Sequence, residues 1–143
     1  MKAAPTMLAG AALAAVPGSA ALAVPDARSA LYELRIYHPA PGKLDALNAR
    51  FREHTLALFA KHGMTNVAYW NEAPSEQAPE GRVIYVLAYP SRAARDAAWD
   101  AFRADPEWQA VVKASEANGR LAEKIDSIFM SMTDYSPPLD FPR

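Results

Sequence analysis

Tyr32-Glu33-Leu34-Arg35-Ile36-Tyr37-His38, then Pro39-Ala40-Pro41-Gly42-Lys43, then an amphipathic run closing on Ala60-Lys61-His62-Gly63, is the stretch that decides the fold. Residues 31–38 alternate, with Tyr32, Leu34, Ile36 and His38 on one side and Glu33, Arg35 and Tyr37 on the other. Period two with aromatic and branched side chains predicts a strand. The face carrying Leu34 and Ile36 is expected to meet the helices. Pro39 and Pro41-Gly42 end the strand. Across residues 43–62, Leu44, Leu47, Phe51 and Leu58, with Thr55 between, form one helical stripe. Gly63 is the expected left-handed cap. About twenty helical residues span roughly 30 Å.

The rest of the chain repeats these ingredients in another order. Residues 65–72 read as a strand with Val67, Tyr69 and Asn71 opposite Ala68 and Trp70. A polar, proline-containing loop leads to residues 82–89, Arg-Val-Ile-Tyr-Val-Leu-Ala-Tyr, whose near-continuous apolarity predicts a strand buried on both faces. Ser91 caps a helix with an alanine-rich face, and Asp105-Pro106-Glu107 restarts one before Trp108. Residues 125–135 close the domain as a last strand, and 136–143 form a tail. The order is β-α-β-β-α-β, an α+β ferredoxin-like plan with an antiparallel sheet covered by helices on one side. The bare face of such a sheet calls for a partner, and a homodimer supplies one.

Composition bounds the function. A net charge of −1 gives no reason to expect nucleic acid or an anionic membrane surface as partner. Zero cysteines exclude thiol catalysis, disulfides and cysteine metal sites. At the start of the chain, Lys2, a short apolar run over residues 7–16, Pro17-Gly18 and Ala21-Leu22-Ala23 have the layout of a secretory signal peptide. Cleavage is expected after Ala23. Residues 24–30 then form a leader, and the protein is expected to be secreted or periplasmic, with no membrane association after cleavage.

The Tyr32-Glu33-Leu34-Arg35-x-Tyr37 run, the Pro41-Gly42-Lys43 turn and the helix ending Lys61-His62-Gly63 together resemble the NIPSNAP family. Tyr89-Pro90-Ser91, Asp105-Pro106-Glu107-Trp108 and the closing aromatic strand are similar to the rest of that domain, so the likeness covers residues 31–135. The resemblance implies a dimeric α/β barrel built from two ferredoxin-like sheets. Relatives on that fold include cofactor-free monooxygenases, cyclases, haem-degrading enzymes and small-molecule binders, and fold alone does not choose among them.

The candidate site residues follow. Leu47, Phe51, His54 and Leu58 are spaced four, three and four, which puts His54 on the flank of the helical stripe. A His looking between sheet and helix acts as a general base, and His54 is the catalytic candidate; a partly buried His satisfied by backbone or water is the bland alternative. His54 and His62 lie eight apart, too far for an i, i+4 metal pair, and no metal or cofactor is expected. Tyr32, His38, Trp70, Tyr89 and Trp108 are the expected ligand-binding residues for a small apolar or aromatic molecule, although most aromatic residues in a domain of this size fill the core. Enzymes on this fold place a His where Trp108 stands, so their acid-base chemistry does not carry over. Glu33, Arg35 and Tyr37 are expected to line the barrel, where Glu33 and Arg35 form an ion pair or an anion clamp. Three functions stay open: a small-molecule binder, a cofactor-free monooxygenase or isomerase/cyclase, and a dimeric interaction protein without a ligand.

Overall fold

The computed structural model describes residues 25–140. The expected signal peptide and the last residues of the expected tail lie outside them. The chain runs β1 (Leu31–Pro39), α1 (Leu44–Arg50), a π-helical turn (Phe51–Thr55), α2 (Leu56–Lys61), β2 (Thr65–Glu72), β3 (Arg82–Tyr89), α3 (Arg92–Ala104), α4 (Pro106–Ser115) and β4 (Ala122–Met130). The sheet order is β2-β3-β1-β4 and each neighbouring pair is antiparallel. That is the ferredoxin-like plan.

Local chemistry explains the element ends. Gly63 has φ 79° and lets the chain leave α2 in the left-handed region. Ser91 caps α3 by accepting from the Ala94 N–H at 3.1 Å. Asp105 caps α4, accepting from the Glu107 N–H at 2.9 Å, with Pro106 at the first helical position. Gly81 (φ 72°) stands so close to the Glu72 carbonyl that a Cβ has no room there. The last strand begins at Ala122 and stops at Met130, three residues earlier at its start and five at its end than its apolar alternation predicts. β4 is an edge strand with exposed side chains on both faces, so its pattern carries little boundary information.

The register fixes the two faces of the sheet. Glu33 pairs with Leu87, Arg35 with Tyr85 and Tyr37 with Val83, so these six share a face. Tyr37, Val83, Tyr85, Leu87 and Tyr89 pack with Leu47, Phe51, Leu58, Phe59, Ala98, Trp99 and Phe102 from the helices. This is the helix-covered face. It is filled by interleaved rings: Phe59 meets Trp99 at 5.3 Å and Phe102 at 4.9 Å, and Tyr69 stacks on Tyr85 at 5.1 Å.

The expected orientation of β1 is therefore reversed. Glu33, Arg35 and Tyr37 lie beneath the helices, while Leu34 and Ile36 are on the bare face with Ile84, Val86, Ile128 and Met130. The reason is that both faces of β1 need apolar or neutralised side chains. A period-two pattern separates two faces without saying which one the helices cover. Ala30, Tyr32, Val86 and Ala88 form a second buried cluster on the bare face, joined by Leu34, Val67, Met130 and Met132. The leader thus covers one end of it. Val67 sits at a register shift between Asn66 and Ala68 and joins this side, away from Tyr69. Among the described residues, no helix is long and apolar enough to cross a membrane.

Candidate functional site

Glu33 is the most constrained polar group in the core. Its side chain has no exposed surface. A buried carboxylate costs several kcal/mol unless its lone pairs are met. Here Oε1 accepts from Arg95 Nη2 at 2.6 Å, Ser127 Oγ at 2.6 Å and Arg35 Nη1 at 2.8 Å. Oε2 accepts from Arg95 Nε at 3.0 Å, the Tyr89 hydroxyl at 3.0 Å and Trp99 Nε1 at 3.2 Å. Arg95 grips both oxygens, the bidentate geometry that guanidinium favours. Arg35 also stacks 4.3 Å over the Trp99 ring and donates to the Tyr85 hydroxyl.

Burial alone raises the Glu33 pKa, but the hydrogen bonds from Arg95 and Ser127 and the Arg35 charge outweigh it and hold the carboxyl at about 2. Burial, then the Glu33 charge, pushes the Tyr89 phenol up, so it stays a neutral donor. The cluster joins β1, β3, β4 and α3. It holds a fixed charge and is no base at neutral pH.

The second arrangement lies at the β2 edge, where the π-helical turn passes over the sheet. Phe51, Leu56, Tyr69, Trp70 and Val83, with Asn48, Arg52 and Asn71, line a cleft of about 230 Å³. π turns recur at functional sites because the extra residue re-aims neighbouring side chains. Thr55 supports this one, its buried hydroxyl donating to the Arg50 carbonyl at 3.1 Å. Burial first, then nearby Tyr37, keeps the Tyr69 phenol protonated, and it donates to Asn66 Oδ1 at 2.5 Å. The cleft offers the half-buried Tyr69 ring, apolar Leu56 and Val83 and polar groups at its mouth, the make-up of a small-ligand site.

A larger groove, about 620 Å³, runs between α1, the π turn and α4. Four alanines and Val111 line it, with no Phe, Tyr or Trp side chain. His54 lies on its rim with its side chain 48% exposed, 3.9 Å from the Glu53 carboxylate. His54 does not look between sheet and helix, contrary to its spacing. A π turn holds more residues than 3.6, so the third residue after Phe51 falls short of the inward stripe and Thr55 takes that place.

The five expected ligand residues do not converge. Tyr32 is buried on the bare face, its hydroxyl donating to the Ala27 carbonyl at 2.6 Å. His38 stands at the rim of that face, 2.7 Å from Asp126 Oδ2, beside a Lys124–Asp126 pair. Tyr89 belongs to the Glu33 cluster. Trp108 packs on Phe102 at 4.4 Å and beneath Arg50. Trp70, 53% exposed, is the one that borders the cleft, at the β2 edge and on the strand face opposite Tyr69.

Sequence reading missed Arg95, Trp99 and Ser127 around Glu33, and Asn48, Arg52 and Asn71 at the cleft. Asn48 and Arg52 are four apart on one helical face beside Phe51, a signal that was available. Nothing local to Ser127 announces its partner 94 residues away.

A family model described as NIPSNAP matches residues 32–137. No curated protein matches the sequence. Among solved structures, an uncharacterized NIPSNAP-like domain protein of Burkholderia xenovorans superposes with TM-score 0.64 at 20% identity, over 80% of this chain and 94% of the other. A NIPSNAP family protein of Agrobacterium tumefaciens superposes with TM-score 0.63 at 25% identity, over 76% and 97%. A second from that organism, described as of unknown function, gives 0.63 at 22% identity, over 77% and 94%.

Proposed function

The chain belongs to the NIPSNAP family, and from that membership and the geometry above we propose that it is an exported homodimer that binds a small, mostly apolar aromatic molecule. The observation that carries this reading is the cleft at the π turn, where the half-buried Tyr69 ring lies beside Leu56 and polar groups. It is smaller than a drug-sized pocket and suits a one- or two-ring compound. The dimer is supported by the bare sheet face, where Leu34, Ile36, Ile84 and Met130 are only partly buried and Ile128 is 49% exposed. Pairing two such faces removes that surface from water. Export rests on the leader pattern of residues 1–23.

A catalytic role for His54 loses its geometric support, because the ring faces the outer groove. The dimeric interaction protein without a ligand remains the second reading, favoured by the ring-filled layer between sheet and helices. Calorimetric titration with 1-naphthol separates the two. The expected result is saturable binding by the wild type and by His54→Ala, and loss of binding by Tyr69→Leu. No heat of binding from a panel of one- and two-ring aromatics selects the ligand-free reading. Sequencing the N-terminus of secreted protein tests export; an uncleaved chain retained in the cytosol overturns it.

A further inference from the structure

The aromatic cleft carries a charge that its own walls leave unanswered. Arg52 lines the mouth and is exposed. Arg50 meets Glu116, Arg82 meets Glu72, Arg92 meets Asp96 and Arg103 meets Asp100. Arg52 has no ion pair or hydrogen bond among the described residues, and neither have the side-chain amides of Asn48 and Asn71 beside it. The sequence places no acid where a helix would supply one: positions three and four residues to either side are Ala49, Thr55, Asn48 and Leu56. The adjacent Glu53 turns to the other side, next to His54. The cleft therefore combines a ring surface, two free amides and one unpaired guanidinium.

We propose that the cleft selects an aromatic carboxylic acid, its ring held against Tyr69 and its carboxylate taken by Arg52 between the Asn48 and Asn71 amides. This rests on the reading of the cleft as the ligand site and adds the charge of the ligand. Guanidinium binds a carboxylate through two parallel hydrogen bonds, a geometry that a neutral amide cannot match. The amide N–H groups donate to the remaining lone pairs without bringing a competing charge. At about 230 Å³ the cleft holds one or two fused rings.

The test compares 1-naphthoate with its neutral isostere 1-naphthamide by calorimetry on the full dimeric protein. The acid is expected to bind about tenfold more tightly than the amide. Its advantage should shrink as salt is raised, since the guanidinium is exposed to screening. Arg52→Met is expected to abolish the advantage, and Arg52→Lys to retain part of it. Arg52 is an exposed side chain, and circular dichroism confirms that each variant is folded. Equal affinity for acid and amide overturns the proposal while leaving the aromatic site in place. A preference that survives in Arg52→Met overturns it as well. Failure of both compounds to bind overturns the cleft reading together with it.

Discussion

Glu33 shows how much one side chain can be asked to hold. Its carboxylate collects two arginines, a serine, a tyrosine and a tryptophan from four elements. Removing the charge leaves Arg35 and Arg95 mostly buried with no anion between them, and breaking such a pair costs about 3–5 kcal/mol. Glu33→Gln should therefore lose at least about 3 kcal/mol in urea denaturation, more than Ser127→Ala, which removes one donor from a satisfied acceptor. The pH dependence has a definite sign. The folded carboxyl titrates at about 2, below the roughly 4.3 of an unfolded chain. Its contribution is full above the higher value and fades as the pH falls through the window between them. The acid limb of a denaturation profile should flatten in Glu33→Gln; an unchanged limb would show that other carboxylates dominate it.

The π turn is the element that sets the cleft. α1 and α2 would make one continuous helix if the chain between Phe51 and Thr55 closed with ordinary i, i+4 bonds. The added residue turns His54 outward and leaves Thr55 facing in. Deleting His54 should close the chain into an ordinary helix and turn α2 relative to α1. The expected result is a variant with wild-type circular dichroism that no longer binds 1-naphthol, because Leu56 and the rest of α2 rotate relative to Arg52. Binding of wild-type strength in the deletion variant would mean that the turn has no part in shaping the site. From the sequence, residues 43–62 read correctly as one amphipathic segment. The interruption was illegible, since His54 fits an unbroken apolar stripe as well as it fits the rim of a groove.

At the scale of the whole molecule, the sheet leaves one face without helices. That face is apolar at its centre and polar at one rim, where His38 meets Asp126 and Arg82 meets Glu72. A hydrophobic centre inside a polar border is the anatomy of a protein–protein interface. Ile128→Lys places a charge in that centre while leaving the helix-covered layer untouched. In sedimentation velocity the wild type should run as a dimer and Ile128→Lys as a folded monomer. A wild type that stays monomeric and stable on dilution would remove the homodimer from the account.

Element order, strand and helix identities and the caps at Ser91, Asp105 and Gly63 were fixed by the chain alone, because turn chemistry and hydrophobic period act over a few residues. Which face of β1 lies beneath the helices was decided only by tertiary structure. Leu34 and Ile36 looked like the helix-facing side, and Glu33 and Arg35 looked like a pair lining the barrel, until Arg95 arrived from α3 and Ser127 from β4 to satisfy the buried carboxylate. Contacts that span 62 and 94 residues leave no local trace in the pattern. The cleft was hidden for the same reason, since its walls come from two segments whose approach depends on a turn that the sequence does not announce.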